Sequence, residues 1–232
     1  MCDQVTGYDL GRRRFLRNAL SAAVITAAAP AALELATPQA FAQSSLSPDQ
    51  AFQELINGNA RFAANQLTSI QADLDMLKNH TVDKQEPFAA VLSCADSRVP
   101  VELIFDQTIG HIFVTRVAGN VATSEIIASL EYGVAVLGVK CLLVLGHAGC
   151  GAVKAAMKAD AVPGQISALY PHLRHAVEQS AGDLDAAILA NTRIQADLLR
   201  TSSPVIKEAI KAGKLKVDSG VYNLASGKVS VG

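Results

Sequence analysis

Three side chains set the chemistry open to this sequence. Cys94 lies in Ser93-Cys94-Ala95-Asp96-Ser97-Arg98, and His147 and Cys150 lie in Gly146-His147-Ala148-Gly149-Cys150-Gly151. Two thiolates and an imidazole are zinc ligands. Structural zinc sites are closed by four protein ligands, whereas catalytic ones keep a place for water or substrate. The trio therefore predicts one zinc ion per chain with one coordination position open. A lone His-x-x-Cys is more often a buried thiol near a packed histidine. The two motifs together, set in glycine and both at predicted strand ends, carry far more weight.

Asp96 has two readings. As a fourth ligand it would close the site. Alternatively, Arg98, two residues on, grips its carboxylate with two parallel hydrogen bonds. Asp96 then turns from the metal and accepts a hydrogen bond from water, and the proximity of Arg98 favours this arrangement. Gly149 and Gly151 flank Cys150 where a helix should begin. A helix N-terminus favours the thiolate form of cysteine, and glycine lets the backbone approach a metal closely. The spacing of Gly146 and Gly151 also suits a phosphate loop. However, Ala152-Val153 stands where Lys-Ser/Thr is required, which removes nucleotide binding from consideration. Cys141 lies six residues before His147 within one strand, so ~20 Å away at ~3.3 Å per residue. It reads as a core thiol.

The elements that position these residues alternate in type. Ser47-Pro48-Asp49-Gln50 predicts a helix start with a capping box. A second short helix is expected over 71–79. Strands are expected over 88–93, 112–117 and 141–145, with a helical turn at 101–105. Thr123 should cap a helix reaching Leu137, and another helix should begin near Gly151. Helices over 184–200 and from Ser203-Pro204 follow, then a strand over 214–218 and a hairpin built from 221–224 and 228–231. The alternation predicts an α/β fold: a mostly parallel central sheet with flanking helices, an N-terminal helical arm and a C-terminal hairpin. The unbroken apolar run Cys141–Leu145 suits a strand covered on both faces. Cys94 and the His147–Cys150 segment should then lie just past the carboxyl ends of two strands, where open α/β sheets hold ligands.

Half of the 232 residues are hydrophobic, 18% are charged and the net charge is −1. There is no basic block outside the extreme N-terminus, so no nucleic-acid partner is expected. Arg12-Arg13-Arg14-Phe15-Leu16-Arg17, the small apolar run after it and Ala40-Phe41-Ala42 predict a cleaved twin-arginine export signal over residues 1–42. That run is interrupted by Pro30 and falls short of the ~20 residues that span a bilayer, so no stable membrane insertion is expected after cleavage. Residues 43–232 are expected to form one periplasmic catalytic domain. It keeps Cys94, Cys141 and Cys150, an odd count that does not suggest a disulfide framework. Folding and metal loading before export would protect the thiols.

At this point the sequence resembles the β-class carbonic anhydrases. The matching pieces are Cys94–Arg98, Arg116-Val117-Ala118-Gly119-Asn120, Ser129-Leu130-Glu131-Tyr132 and Gly146–Gly151, together with Gly58-Asn59-Ala60-Arg61-Phe62 and the tail from Val221 to Val231. The similarity runs over residues 46–232. It implies a mostly parallel sheet assembled as homodimers or larger, and reversible hydration of CO2 to bicarbonate and a proton. It implies zinc on Cys94, His147 and Cys150, a catalytic dyad of Asp96 and Arg98, and a bicarbonate contact from Gln107 that can cross a subunit interface. The anionic product would favour backbone N–H donors such as those of Gly119 and Gly151. Departures are visible too. The chain has no tryptophan, so the tryptophan-containing regulatory bicarbonate pocket of one family branch is absent in its usual form. Val117 replaces a common asparagine. His111 stands where an acidic residue is common; it reads as a plain loop histidine ahead of a proton shuttle. The rival functions are hydrolysis of CS2 or carbonyl sulfide on the same scaffold, and non-catalytic binding of zinc or bicarbonate. Intact Asp96, Arg98 and Gln107 argue against the last.

Overall fold

The computed structural model describes residues 44–71 and 74–232. The export signal expected over 1–42 lies outside the described residues. Helix α1 (Pro48–Ala63) begins with the expected reciprocal cap: Gln50 N–H donates to Ser47 Oγ and Ser47 N–H to Gln50 Oε1. A short 3-10 turn (Ser69–Gln71) and α2 (Leu74–Thr81) follow. Then come β1 (Ala89–Ser93), α3 (Val101–Ile104), β2 (Ile112–Arg116), α4 (Ser124–Ala135), β3 (Cys141–His147) and α5 (Gly151–Lys158). The last third holds a 3-10 turn (Ile166–Leu169), α6 (Tyr170–Gln179), α7 (Leu184–Ser202), α8 (Pro204–Lys211), β4 (Lys216–Tyr222) and β5 (Val229–Val231). No helix among the described residues is long and apolar enough to cross a membrane.

The five strands form one sheet in the order β2-β1-β3-β4-β5, with four parallel strands and β5 antiparallel at the edge. Strands β1 and β3 are buried along their whole length, as their unbroken apolar sequences require. Alternate side chains feed two layers. On one face Val91, Cys141, Leu143 and Leu145 pack against Leu55, Val101, Ile104 and Phe105. On the other, Leu92, Leu142 and Val144 pack against Leu130, Ala196, Leu199 and Ile206. From β1 the chain moves outward to β2; from β3 it moves the opposite way to β4. The adjacent carboxyl ends of β1 and β3 thus form the topological switch point where such sheets bind ligands. The register pairs Ser93 with Leu145. Cys94 therefore emerges level with Gly146 and one residue from His147.

Several boundaries differ from the sequence expectation. His147 is the last residue of β3 rather than the second beyond it, because β4 continues far enough to pair Gly146 with Val221 and His147 with Tyr222. For the same reason Val221 and Tyr222 end β4 instead of opening a separate strand. Thr123 occupies the cap position of α4 with extended backbone, but its hydroxyl makes no capping bond to the helix backbone. Helix α6 was not expected. It carries a proline in its first turn and buries Leu173 and Ala176, an apolar stripe short enough to be overlooked.

Candidate metal centre

The sulfurs of Cys94 and Cys150 lie 4.0 Å apart. Together with a ring nitrogen of His147 they form a group of ligand atoms all within 4.8 Å of one another. A tetrahedral zinc with ~2.3 Å bonds to sulfur would place two sulfurs about 3.8 Å apart, so the spacing fits. All three residues are buried. His147 Nδ1 lies 3.0 Å from the carbonyl of Ala148. Donation to that oxygen assigns the proton to Nδ1 and leaves a lone pair on Nε2. Nε2 is buried and makes no hydrogen bond. A buried nitrogen without a partner is costly, and one facing two sulfurs fits the role of a metal ligand.

The charges around the two thiols agree with this. Hydrogen bonding from Cys150 and from Gly119 N–H lowers the pKa of the Cys94 thiol against the cost of burial. The Cys150 thiol is pushed up by the neighbouring Cys94 sulfur and by burial. A metal bound here would take both sulfurs as thiolates and release their protons. Cys141 lies in the other core, with its thiol pushed up to about 12 by burial. It is the buried structural thiol expected from the sequence.

Asp96 sits beside this group and outside it. Arg98 Nε donates to Oδ1 at 2.9 Å, Arg98 Nη2 to Oδ2 at 2.7 Å, and the Arg98 backbone N–H to Oδ1 at 3.0 Å. The guanidinium holds the Asp96 carboxyl far below the usual carboxylate range. Oδ2 lies 3.7 Å from His147 Nε2, so the clamped carboxylate borders the pocket of the three ligands. Arg116, at the end of β2, fixes the loop itself. Its Nε donates to Cys94 O at 3.0 Å and its Nη2 to Asp96 O at 2.5 Å. Sequence reasoning gave Arg116 no role, although a cation ending a strand beside the ligand-bearing strand was a usable signal.

The remaining candidates are placed as follows. Gly119 N–H donates to Cys94 Sγ at 3.3 Å, so its donor serves the ligand sulfur rather than standing free for bicarbonate. Gly151 opens α5 directly after Cys150, and the N–H groups of Ala152 and Val153 face the Cys150 sulfur. Gln107 lies apart from the trio. Its amide donates to Phe105 O and Glu54 Oε1, and its oxygen lies 3.3 Å from His111 Nδ1. His111 is an exposed loop residue, with its Nδ1 also 3.3 Å from Thr108 Oγ1.

Comparison with known proteins converges with this geometry. The sequence model of a family described as "Carbonic anhydrase" matches residues 89–229. A carbonic anhydrase of Mycolicibacterium smegmatis is 34% identical over 196 residues, covering 80% of this chain and 93% of that protein. Carbonic anhydrase 2 of Mycobacterium tuberculosis is 33% identical over 190 residues, covering 78% and 91%. Among solved structures, the β-carbonic anhydrase CcaA superposes with a TM-score of 0.63 at 25% identity, covering 78% of this chain and 94% of that one. A Coccomyxa β-carbonic anhydrase in complex with acetazolamide gives 0.61 at 27% identity, with 76% and 84% covered. With its ligand trio at the switch point of a mostly parallel sheet, this chain belongs to the β-class carbonic anhydrases, a family of lyases.

Proposed function

We propose that the chain hydrates CO2 reversibly to bicarbonate and a proton, using one zinc ion held by Cys94, His147 and Cys150. The observation that carries this reading is the Asp96–Arg98 clamp beside, and outside, a three-ligand group. Zinc in such a site supplies a Lewis acid that lowers the pKa of water from ~15.7 to about 7. Everything else falls to the protein. Arg98 keeps Asp96 ionised and therefore acceptor-only. Asp96, its oxygens held by Arg98, accepts a hydrogen bond from the attacking water and directs the water's remaining lone pair at the carbon of CO2. Gly119 N–H and the N-terminus of α5 hold the two sulfurs and offset their negative charge. The buried side chains around the ligands, among them Val121, Val153 and Leu173, give an apolar surround suited to a small apolar substrate.

A hydration assay on zinc-quantified protein, run beside CS2 and carbonyl sulfide as competing substrates, tests the assignment. Turnover of CO2 well above the other two supports it. A preference for either sulfur compound reassigns the substrate, and zinc-loaded protein inert toward all three points to a binding protein.

We further propose that residues 1–42 direct export by the twin-arginine route and that 43–232 work as one periplasmic domain. Conversion of Arg12 and Arg13 to lysine should stop export; unimpaired export would contradict the assignment. Assembly as a homodimer or larger is part of the same reading. It is supported by an apolar groove of about 470 Å3 lined by Ile70, Leu74, Leu103, Ile109 and Ile112, in which Ile70 and Leu74 are well exposed. Gln107 also lines that groove, so any contact it makes with bicarbonate would belong to the assembled form.

A further inference from the structure

Two buried amides take no part in the chemistry above. Asn191 and Gln195 lie four residues apart on one face of α7, each 1% exposed. Asn191 Nδ2 donates to Gly119 O at 2.8 Å. Gln195 Oε1 accepts from Ala122 N–H at 2.9 Å, and Gln195 Nε2 donates to Asn191 Oδ1 at 3.1 Å and to His172 O, on α6, at 3.2 Å. A buried amide left unpaired costs ~1–3 kcal/mol. The pair is therefore at home only where all these bonds form together, and their joint target is the loop from Val117 to Ala122.

Within that loop Gly119 is held on both sides. Its φ is +77°, and a Cβ there would lie 3.3 Å from Ala152 Cβ and 3.4 Å from the methyls of Leu173. Glycine alone takes this backbone cheaply in so narrow a space. Its carbonyl is fixed by Asn191, and its N–H points at Cys94 Sγ. Cys150 is served differently, by the N–H groups at the start of α5. One ligand sulfur thus depends on α7, and the other does not.

We propose that Asn191 and Gln195 are positioning residues for the metal centre: they fix the Val117–Ala122 loop so that Gly119 N–H orients the Cys94 sulfur. This rests on the reading of Cys94 as a zinc ligand. Partners behind a ligand commonly change metal affinity by 10–100-fold when lost.

The test uses zinc-loaded wild-type and Asn191→Asp protein, which differ by one amide nitrogen and almost no volume. Two readouts are followed: zinc release into a chromogenic chelator, and backbone hydrogen exchange by peptide mass spectrometry. The expected result is release at least ~10-fold faster and faster exchange over 117–122, with 151–158 unchanged. Thr192→Val is the control. Thr192 is buried on the same helix, but its hydroxyl bonds to Leu189 O within α7, so release should stay at the wild-type rate. Should Asn191→Asp fail to fold, Gln195→Glu provides the same readouts: it keeps the acceptor for Ala122 and loses the donor to Asn191. Wild-type release rates in the folded variant overturn the proposal, as does equal acceleration by Thr192→Val. A wild-type protein that takes up no zinc contradicts the metal reading itself, a separate outcome.

Discussion

Asp96→Asn separates catalysis from metal binding and from folding. Asp96 accepts three hydrogen bonds from Arg98, two of them from the guanidinium at 2.7 and 2.9 Å. An asparagine amide in the same place offers one oxygen and sets its NH2 against an Arg98 donor. The residue then loses both its charge and its fixed acceptor facing the pocket. Losing the fixed hydrogen-bond acceptor that orients the water costs on the order of 10²-fold, or about 2.7 kcal/mol at ~1.36 kcal/mol per decade. Stability should scarcely change. The Arg98 side chain is 57% exposed, and an ion pair so open to solvent contributes little to stability. Zinc content should also hold, since Asp96 stands outside the ligand group. The assay is stopped-flow CO2 hydration with a pH indicator on metal-quantified variant and wild type, with a thermal melt of each. Undiminished kcat/KM in the variant would remove Asp96 from the mechanism. Loss of zinc would make it a ligand and the site closed.

Two further predictions concern the scaffold. A Cβ at Gly146 would lie 2.6 Å from Thr192 Cγ2. Strand β3 is paired on both sides, so α7 must give way. Gly146→Ala should cost ~1–3 kcal/mol by urea unfolding, and Thr192→Ser in the same chain, which deletes the clashing methyl, should restore most of it; no recovery in the double variant would refute the contact. Burial opposes ionisation of the Asp106 carboxyl, yet Arg61 with Thr68 and Ser69 holds it far below the usual range. A depressed carboxyl pKa gives stability that is complete above the unfolded value of ~3.9 and fades as pH falls below it. Asp106→Asn should therefore be less stable than wild type by about 3 kcal/mol near pH 7. The gap should stay flat down to about pH 5 and close in stronger acid, and a gap that widened in acid would contradict this.

The fold and the candidate metal centre were legible because they rest on local pattern. Continuous apolar strands announced a covered parallel sheet, and ligands at two strand ends follow from how such sheets are wound. Arg98 could be paired with Asp96 from sequence because the two are two residues apart. What escaped was set by tertiary partners. His147 belongs to β3 because of where β4 pairs, which the residues near 147 do not encode. Gly119 looked like a free donor; only the close approach of Cys94 shows where its N–H goes. Asn191 and Gln195 read as ordinary positions on a long helix, and their burial against a loop some seventy residues earlier has no local signature. Gln107 was carried over by resemblance alone, and in the folded chain its amide faces Glu54, Phe105 and His111.

Titrating zinc into metal-free protein while CO2 hydration is followed by stopped flow tests the central claim most directly. Turnover should rise linearly and stop at one zinc per chain, and Cys150→Ser should retain neither metal nor rate. Hydration that persists without zinc, or a fully loaded protein that does not hydrate CO2, would contradict the account.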